Sequence, residues 1–208
     1  MYYGEKFNSI THLVGAVLAV MALGSLLTIG VGQKNLLLLF SFTVFGLSLV
    51  LLYTMSTLYH SFHSPKLKKI FQKLDHVAIY ILIAGTYTPY MLVSLGDGNG
   101  PRMLALVWGL AIAGLLLDIF LRKRIEILQI GIYLAMGWVC TLEYSNLKIA
   151  ISTPGITWLT IGGIAYSVGV IFYVLDDMKK LRHAHGIWHL FVLMGSVSHF
   201  ISVVGYVR

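Results

Sequence analysis

A seven-helix transmembrane bundle, all-α and forming a single domain over residues 1–208, is the fold class this sequence predicts, on three observations. Seven stretches are apolar over about 20 residues, enough to cross a hydrocarbon core of roughly 30 Å. Only 11% of the residues are charged while 58% are hydrophobic, against roughly one-quarter charged in soluble domains. The basic residues fall mainly in alternate connections, as the loops of a polytopic membrane protein require.

The elements follow in order. The first span, near 9–31, exceeds the roughly 7–15 apolar residues of a secretory signal core and lacks a small-residue cleavage site, so it is expected to be retained. The second covers 36–59. The stretch Ser64–Leu74 places Leu67, Ile70, Phe71 and Leu74 at helical spacing against Lys66, Lys68, Lys69 and Lys73, with Pro65 suited to a first turn. It is expected to lie on the inner leaflet as a short amphipathic helix, with a plain basic loop as the alternative.

The third span, near 76–95, contains Pro89. Thr86 and Thr88 are candidates to bond carbonyls freed there, and the kink would open space between helices. The fourth, 102–121, ends with Asp118 one turn before Arg122, spaced for an ion pair. The fifth, 125–143, holds the lone Cys140, which has no second thiol to pair with. The sixth and seventh lie near 156–175 and 184–206. Gly109 with Ala113 and Ala165 with Gly169 mark close helix packing. Tyr2, Tyr3, Trp158 and Tyr206 are placed to anchor the interfaces. Asp176 and Asp177, next to Lys179, Lys180 and Arg182, read as a solvated loop, and Glu143 and Asp97 belong to the outer side.

With seven spans, the N-terminus shares one side of the bilayer with the connections after spans two, four and six. Eleven basic residues fall there, among them Lys6, Lys73, Arg122, Lys123, Arg124 and Arg182; four fall opposite, Lys34, Arg102, Lys148 and Arg208. The bias predicts a cytoplasmic N-terminus, an outside C-terminus and residence in the plasma membrane. Although the net charge is +7, the basic residues form no single surface and no recognition motif accompanies them, so nucleic acid is not an expected partner.

The chemistry concentrates at one depth. His60 ends the second span, with Ser56 one turn deeper on the same face. Asp75 opens the third. In HAHGIWH, His185 and His189 share a helical face, His189 about 6 Å deeper. Three imidazoles with an open position form the pattern of catalytic zinc, which activates a bound water. Asp75 is suited to orient that water and carry its proton, and Ser56 to donate a hydrogen bond to the oxyanion formed on an amide or ester carbonyl. Helical H-x-x-x-H also arises by chance in His-rich chains, and interfacial histidines bound to water or headgroups are the bland alternative.

Remaining polar residues have ordinary readings. Asn8 and His12 either support this site or cap and bond helices. His199, about 15 Å beyond His189, is expected to make a buried interhelical hydrogen bond. His63, His76 and His183 are expected to be solvated.

The S-x-x-x-H at Ser56–His60, the aspartate of KLD at Asp75 and the H-x-x-x-H at His185–His189 resemble the hemolysin III family, which is related to the progestin and adipoQ receptors and more distantly to alkaline ceramidases. The opening EKFNSITHLVG, Glu5–Gly15, is similar to that of the bacterial branch, and the resemblance covers essentially the whole chain. It implies seven spans, an inward N-terminus, zinc held by His60, His185 and His189 with Asp75 and Ser56 lining the site, and hydrolysis of a lipid amide such as ceramide.

Three functions compete. A zinc hydrolase acting on a membrane lipid explains the histidines, carboxylate and serine together. A receptor or regulator of membrane lipid state would use zinc to staple helices. A pore-forming toxin, which the family name implies, ranks last, because so hydrophobic a chain has no soluble form from which to insert. A transporter would need mid-membrane polar groups beyond His199. Membrane lipids are the expected partners; oligomeric state is left open.

Overall fold

The computed structural model describes residues 4–121 and 125–208. Among them no strand occurs, and seven helices are long and apolar enough to span a membrane. The helices are α1 (Lys6–Gly32), α2 (Leu36–Ser61), α3 (Pro65–Pro89), α4 (Gly100–Phe120), α5 (Glu126–Trp138), α6 (Tyr144–Ala150), α7 (Ser152–Asp177) and α8 (Ala184–Tyr206). Tyr2, Tyr3, Arg122, Lys123 and Arg124 lie outside the described residues.

Short connections make sequential helices antiparallel neighbours. Asn35, for instance, caps α2 by accepting a hydrogen bond from Leu38 N at 3.1 Å. α1 packs along α2, α2 along α3 and α7 along α8, and contact between α1 and α8 brings the two ends of the chain together. Phe42, Phe45, Leu49 and Tyr80 fill the interior, while Val20, Phe40, Ile112 and Ile127 point outward. An outward apolar surface of this extent suits lipid rather than water.

Three expectations about the elements are corrected. Ser64–Leu74 is no separate surface helix: α3 starts at Pro65 and runs on without a break. Its amphipathic pattern arises because this first part projects from the core, and Lys68 turns back to pair with Glu5. The fifth span continues to Ala150 by way of a 3₁₀ turn, Val139–Glu143, so Cys140 sits in a break within it. The Tyr87 hydroxyl stitches that break, reaching Met136 O at 2.7 Å and accepting from Cys140 N at 2.9 Å. Gly109 and Ala113 face outward; Gly114 makes the close approach instead, since a Cβ there would lie 2.3 Å from the Tyr80 ring. At the other predicted contact, Ala165 is buried and Gly169 packs against Phe191.

Pro89 is followed by one π-helical turn, Tyr90–Ser94, and Thr86 and Thr88 bond the carbonyls of Leu82 and Ala84. Beside this irregular segment lies a cavity of about 320 Å³, bordered by α3, α5, α7 and α8. Asp118 accepts from Gln129 Nε2 at 2.6 Å; the partner expected for it, Arg122, falls outside the described residues.

Candidate metal centre

The site forms where α1, α2, α3, α7 and α8 meet at the end of the bundle that carries the N-terminus. His60, in the last turn of α2, is 2% exposed, and His189, in the second turn of α8, is fully buried. The glycine between His185 and His189 has a structural reason. A Cβ on Gly186 would lie 2.1 Å from the Phe7 ring, so only a bare backbone lets α1 approach and bring Asn8 and Thr11 against His189.

The three rings meet edge to face, with centroids 5.0 Å apart for His60 with His185, 5.0 Å for His60 with His189 and 4.8 Å for His185 with His189. One ring nitrogen from each lies within 4.8 Å of those of the other two. The opposite nitrogens face hydrogen-bond acceptors. His60 Nδ1 donates to Glu5 Oε2 at 2.9 Å, His185 Nδ1 to Asp176 Oδ2 at 3.1 Å and His189 Nδ1 to the Asn8 carbonyl at 3.1 Å. Those partners hold the hydrogen on Nδ1 and leave each Nε2 with a lone pair.

All three Nε2 atoms are buried without a hydrogen-bond partner among the described residues. Buried acceptors left this way cost free energy, and convergence of three lone pairs adds mutual repulsion. A divalent cation removes both penalties. Imidazoles backed by carboxylates and a carbonyl are the donor set with which proteins hold zinc, so the residues present fit that ion.

The supporting groups form a second layer. Glu5 is shared between His60 and Lys68. Burial opposes ionisation of its carboxyl, but the hydrogen bonds from His60 and Lys68 prevail and lower its pKa to about 2. His12 stacks on His189 with centroids 3.5 Å apart and planes 10° from parallel, and meets the Tyr53 ring at 5.1 Å.

Ser56 is buried one turn before His60, with its hydroxyl unpartnered among the described residues. Asp75 is 5% exposed and lines two cavities. One is the 320 Å³ cavity, whose lining runs from His12 and Asp75 to Thr86, Tyr90 and His199 and is overwhelmingly apolar. The other is a smaller polar recess, also lined by His185, Asp176 and Glu126. Along α3, Asp75 to Thr86 spans about 16 Å.

Sequence reasoning brought His60, His185, His189, Ser56 and Asp75 to one layer but missed part of their surroundings. Asp176 is no loop residue: it lies in the last turn of α7 and bonds His185. The sequence puts Lys68 on the polar face of an amphipathic helix and Glu5 in the opening stretch, and neither is expected beside His60, where the structure pairs them. Asn8 and His12 do adjoin the site, Asn8 through its carbonyl and His12 through its ring. His63 and His183 are exposed, as expected, whereas His76 is half-buried and lines both cavities. His199 makes the anticipated interhelical bond, Nε2 to the Leu159 carbonyl at 3.2 Å.

Comparison with known proteins places the chain among relatives that it matches over most of its length. The chain is 43% identical over 202 residues to a hemolysin-3 homolog of Bacillus subtilis, covering 97% of this chain and 93% of that protein. It is 44% identical over 203 residues to hemolysin-3 of Bacillus cereus, covering 98% and 91%. A more distant relative is the human monocyte to macrophage differentiation factor, 26% identical over 168 residues, 78% of this chain and 68% of that one. Residues 2–200 match the Haemolysin-III related family, and this integral membrane protein belongs to it.

Proposed function

We propose that this protein is a zinc-dependent hydrolase of a lipid amide or ester, acting in membrane lipid homeostasis from the cytoplasmic side of the plasma membrane. One observation carries the reading: three clustered imidazoles whose Nε2 atoms lack partners among the described residues share the layer of Asp75, a buried carboxylate that lines an apolar cavity, and His12, stacked on His189, lines the same cavity. The eleven-to-four split of basic residues supports the orientation.

His60, His185 and His189 would hold the zinc, which would supply Lewis acidity and lower the pKa of a water at the open position. The protein's own groups do the rest. The cavity, at the lower end of the roughly 300–1,000 Å³ usual for ligand sites, receives the acyl chain and places its carbonyl beside the histidines. Asp75 orients the attacking water and accepts its proton. Ser56 donates a hydrogen bond to the developing oxyanion. Glu5, Asp176 and the Asn8 carbonyl fix the three rings.

The test joins metal analysis with fatty-acid release from a ceramide and phospholipid panel. The purified protein is expected to hold about one zinc per chain and to release fatty acid, and Asp75→Asn to keep the zinc while losing at least about a hundredfold in rate. Equal release by the variant removes Asp75 from the chemistry. A zinc-loaded protein that releases nothing makes the ion structural and the protein a receptor or regulator of lipid state.

A further inference from the structure

Four lysines stand on the first part of α3, and their spacing in the sequence makes them look alike. Lys66, Lys69 and Lys73 are exposed, as a basic face meeting water and headgroups should be, whereas Lys68 is partly buried. Lys68 lies seven residues before Asp75, two turns along the same face of α3. The face that carries Asp75 to the site therefore turns Lys68 inward as well.

What Lys68 meets there leads to a metal-site histidine by two routes. Its Nζ donates to Glu5 Oε1, and the other oxygen of that carboxylate accepts from His60 Nδ1 at 2.9 Å. The ammonium also stands over the Tyr59 ring, 5.3 Å from its centroid, and that ring packs on His60 with centroids 4.5 Å apart. Glu5 is not held by its own helix. It is the N-cap residue of α1, yet its side chain makes no capping bond and is 25% exposed. A glutamate without an anchor samples many rotamers, few of which present an oxygen to His60.

We propose that Lys68 is a positioning residue for the metal centre: it fixes Glu5 in the rotamer that bonds His60 Nδ1, and so aims His60 Nε2 at the ion. This rests on the reading that His60, His185 and His189 hold a metal. Charge alone predicts the opposite effect. A positive Lys68 repels a divalent cation through space and draws charge from the carboxylate that backs His60, so on that account its loss tightens metal binding. Positioning makes the same loss weaken it, and the sign of the change separates the two.

The experiment uses the full-length protein in detergent, stripped of metal and titrated with zinc against a chromophoric chelator at fixed pH and salt. Lys68→Met keeps the apolar stem and removes the charge. Lys69→Met changes the net charge identically, one residue away on the exposed face. Zinc binding is expected to weaken about three- to fivefold in Lys68→Met and in Lys68→Gln, the scale of a well-formed, partly exposed ion pair. Lys69→Met is expected to stay within about twofold of the wild type. Lys68→Arg is expected to restore the wild-type affinity, because a guanidinium donates to the same carboxylate. The double variant Glu5→Ala/Lys68→Met is expected to bind zinc no more weakly than Glu5→Ala, since no carboxylate is left to position.

Unchanged or tighter binding by both Lys68→Met and Lys68→Gln overturns the proposal. Equal weakening by Lys69→Met also overturns it and makes net charge the cause. A further loss in the double variant does so too, because Lys68 then acts apart from Glu5. Failure of the wild type to bind zinc removes the metal reading and the proposal together, whereas a wild type that binds zinc beside unaffected Lys68 variants removes the proposal alone.

Discussion

Two buried polar clusters sit at opposite ends of the bundle, and they differ in one respect. At the end away from the N-terminus, Glu143 is 8% exposed, and each of its carboxylate oxygens accepts from an amide: Asn99 Nδ2 at 3.0 Å and Asn146 Nδ2 at 2.6 Å. At the histidine end the outer nitrogens are bonded, but the three inner ones lack partners among the described residues. Glu143 is complete in itself and ties α6 to the start of α4. The histidine cluster is complete only with something added. Burial alone does not distinguish a structural polar cluster from a binding site; what distinguishes them is which atoms are left over.

The comparison breaks most directly at the ligands. His60→Ala or His189→Ala is expected to lower bound zinc from about one per chain to near background in elemental analysis, because each removes one of three donors. Retention of stoichiometric metal by both variants would make the two clusters equivalent.

One layer out the effect shrinks. Glu5→Ala and Asp176→Ala leave every donor atom in place but free the His60 and His185 rings to turn. Zinc affinity, measured by competition with a chelator, is expected to weaken about 10–100-fold in each. At the other end, Glu143→Ala leaves two amides unsatisfied. It is expected to destabilise the protein by about 1–3 kcal/mol in a thermal melt in detergent, with no change in metal content. His63→Ala is the smallest perturbation: His63 is exposed, and neither zinc content nor melting temperature is expected to move beyond error.

Much of the architecture was legible from the chain. The spans have a strong signal because each must present roughly 20 apolar residues to lipid whatever its neighbours do. The departures came where helix and hydrocarbon limits do not coincide. α3 starts about eleven residues before its apolar stretch, and the fifth span continues through the break at Cys140. Hydropathy reports where lipid begins, whereas helix length follows backbone hydrogen bonding, which also continues through polar sequence.

For the site, the H-x-x-x-H of α8 is periodic and local, so it could be read directly. Asp176 and Glu5 could not. Acidic residues beside lysines at a span end carry the same pattern whether solvated or folded back, and His60 and Glu5 are 55 residues apart in sequence. His12 shows the same limit. Its place at the start of α1 was plain, but the ring stack with His189 depends on how closely α1 approaches α8.

By itself the sequence determined seven apolar helices, their alternating direction and the level at which Ser56, His60, Asp75, His185 and His189 lie. These follow from rise per residue and from the cost of polar backbone in lipid, both properties of a single segment. Only the tertiary structure decided which nitrogens have partners, that a cavity adjoins Asp75, and that His199 is pressed against α7 with its Nε2 on the Leu159 carbonyl. Those depend on the rotation and spacing of neighbouring helices, set by contacts such as Gly186 with Phe7 and Gly162 with His199, which no local pattern encodes.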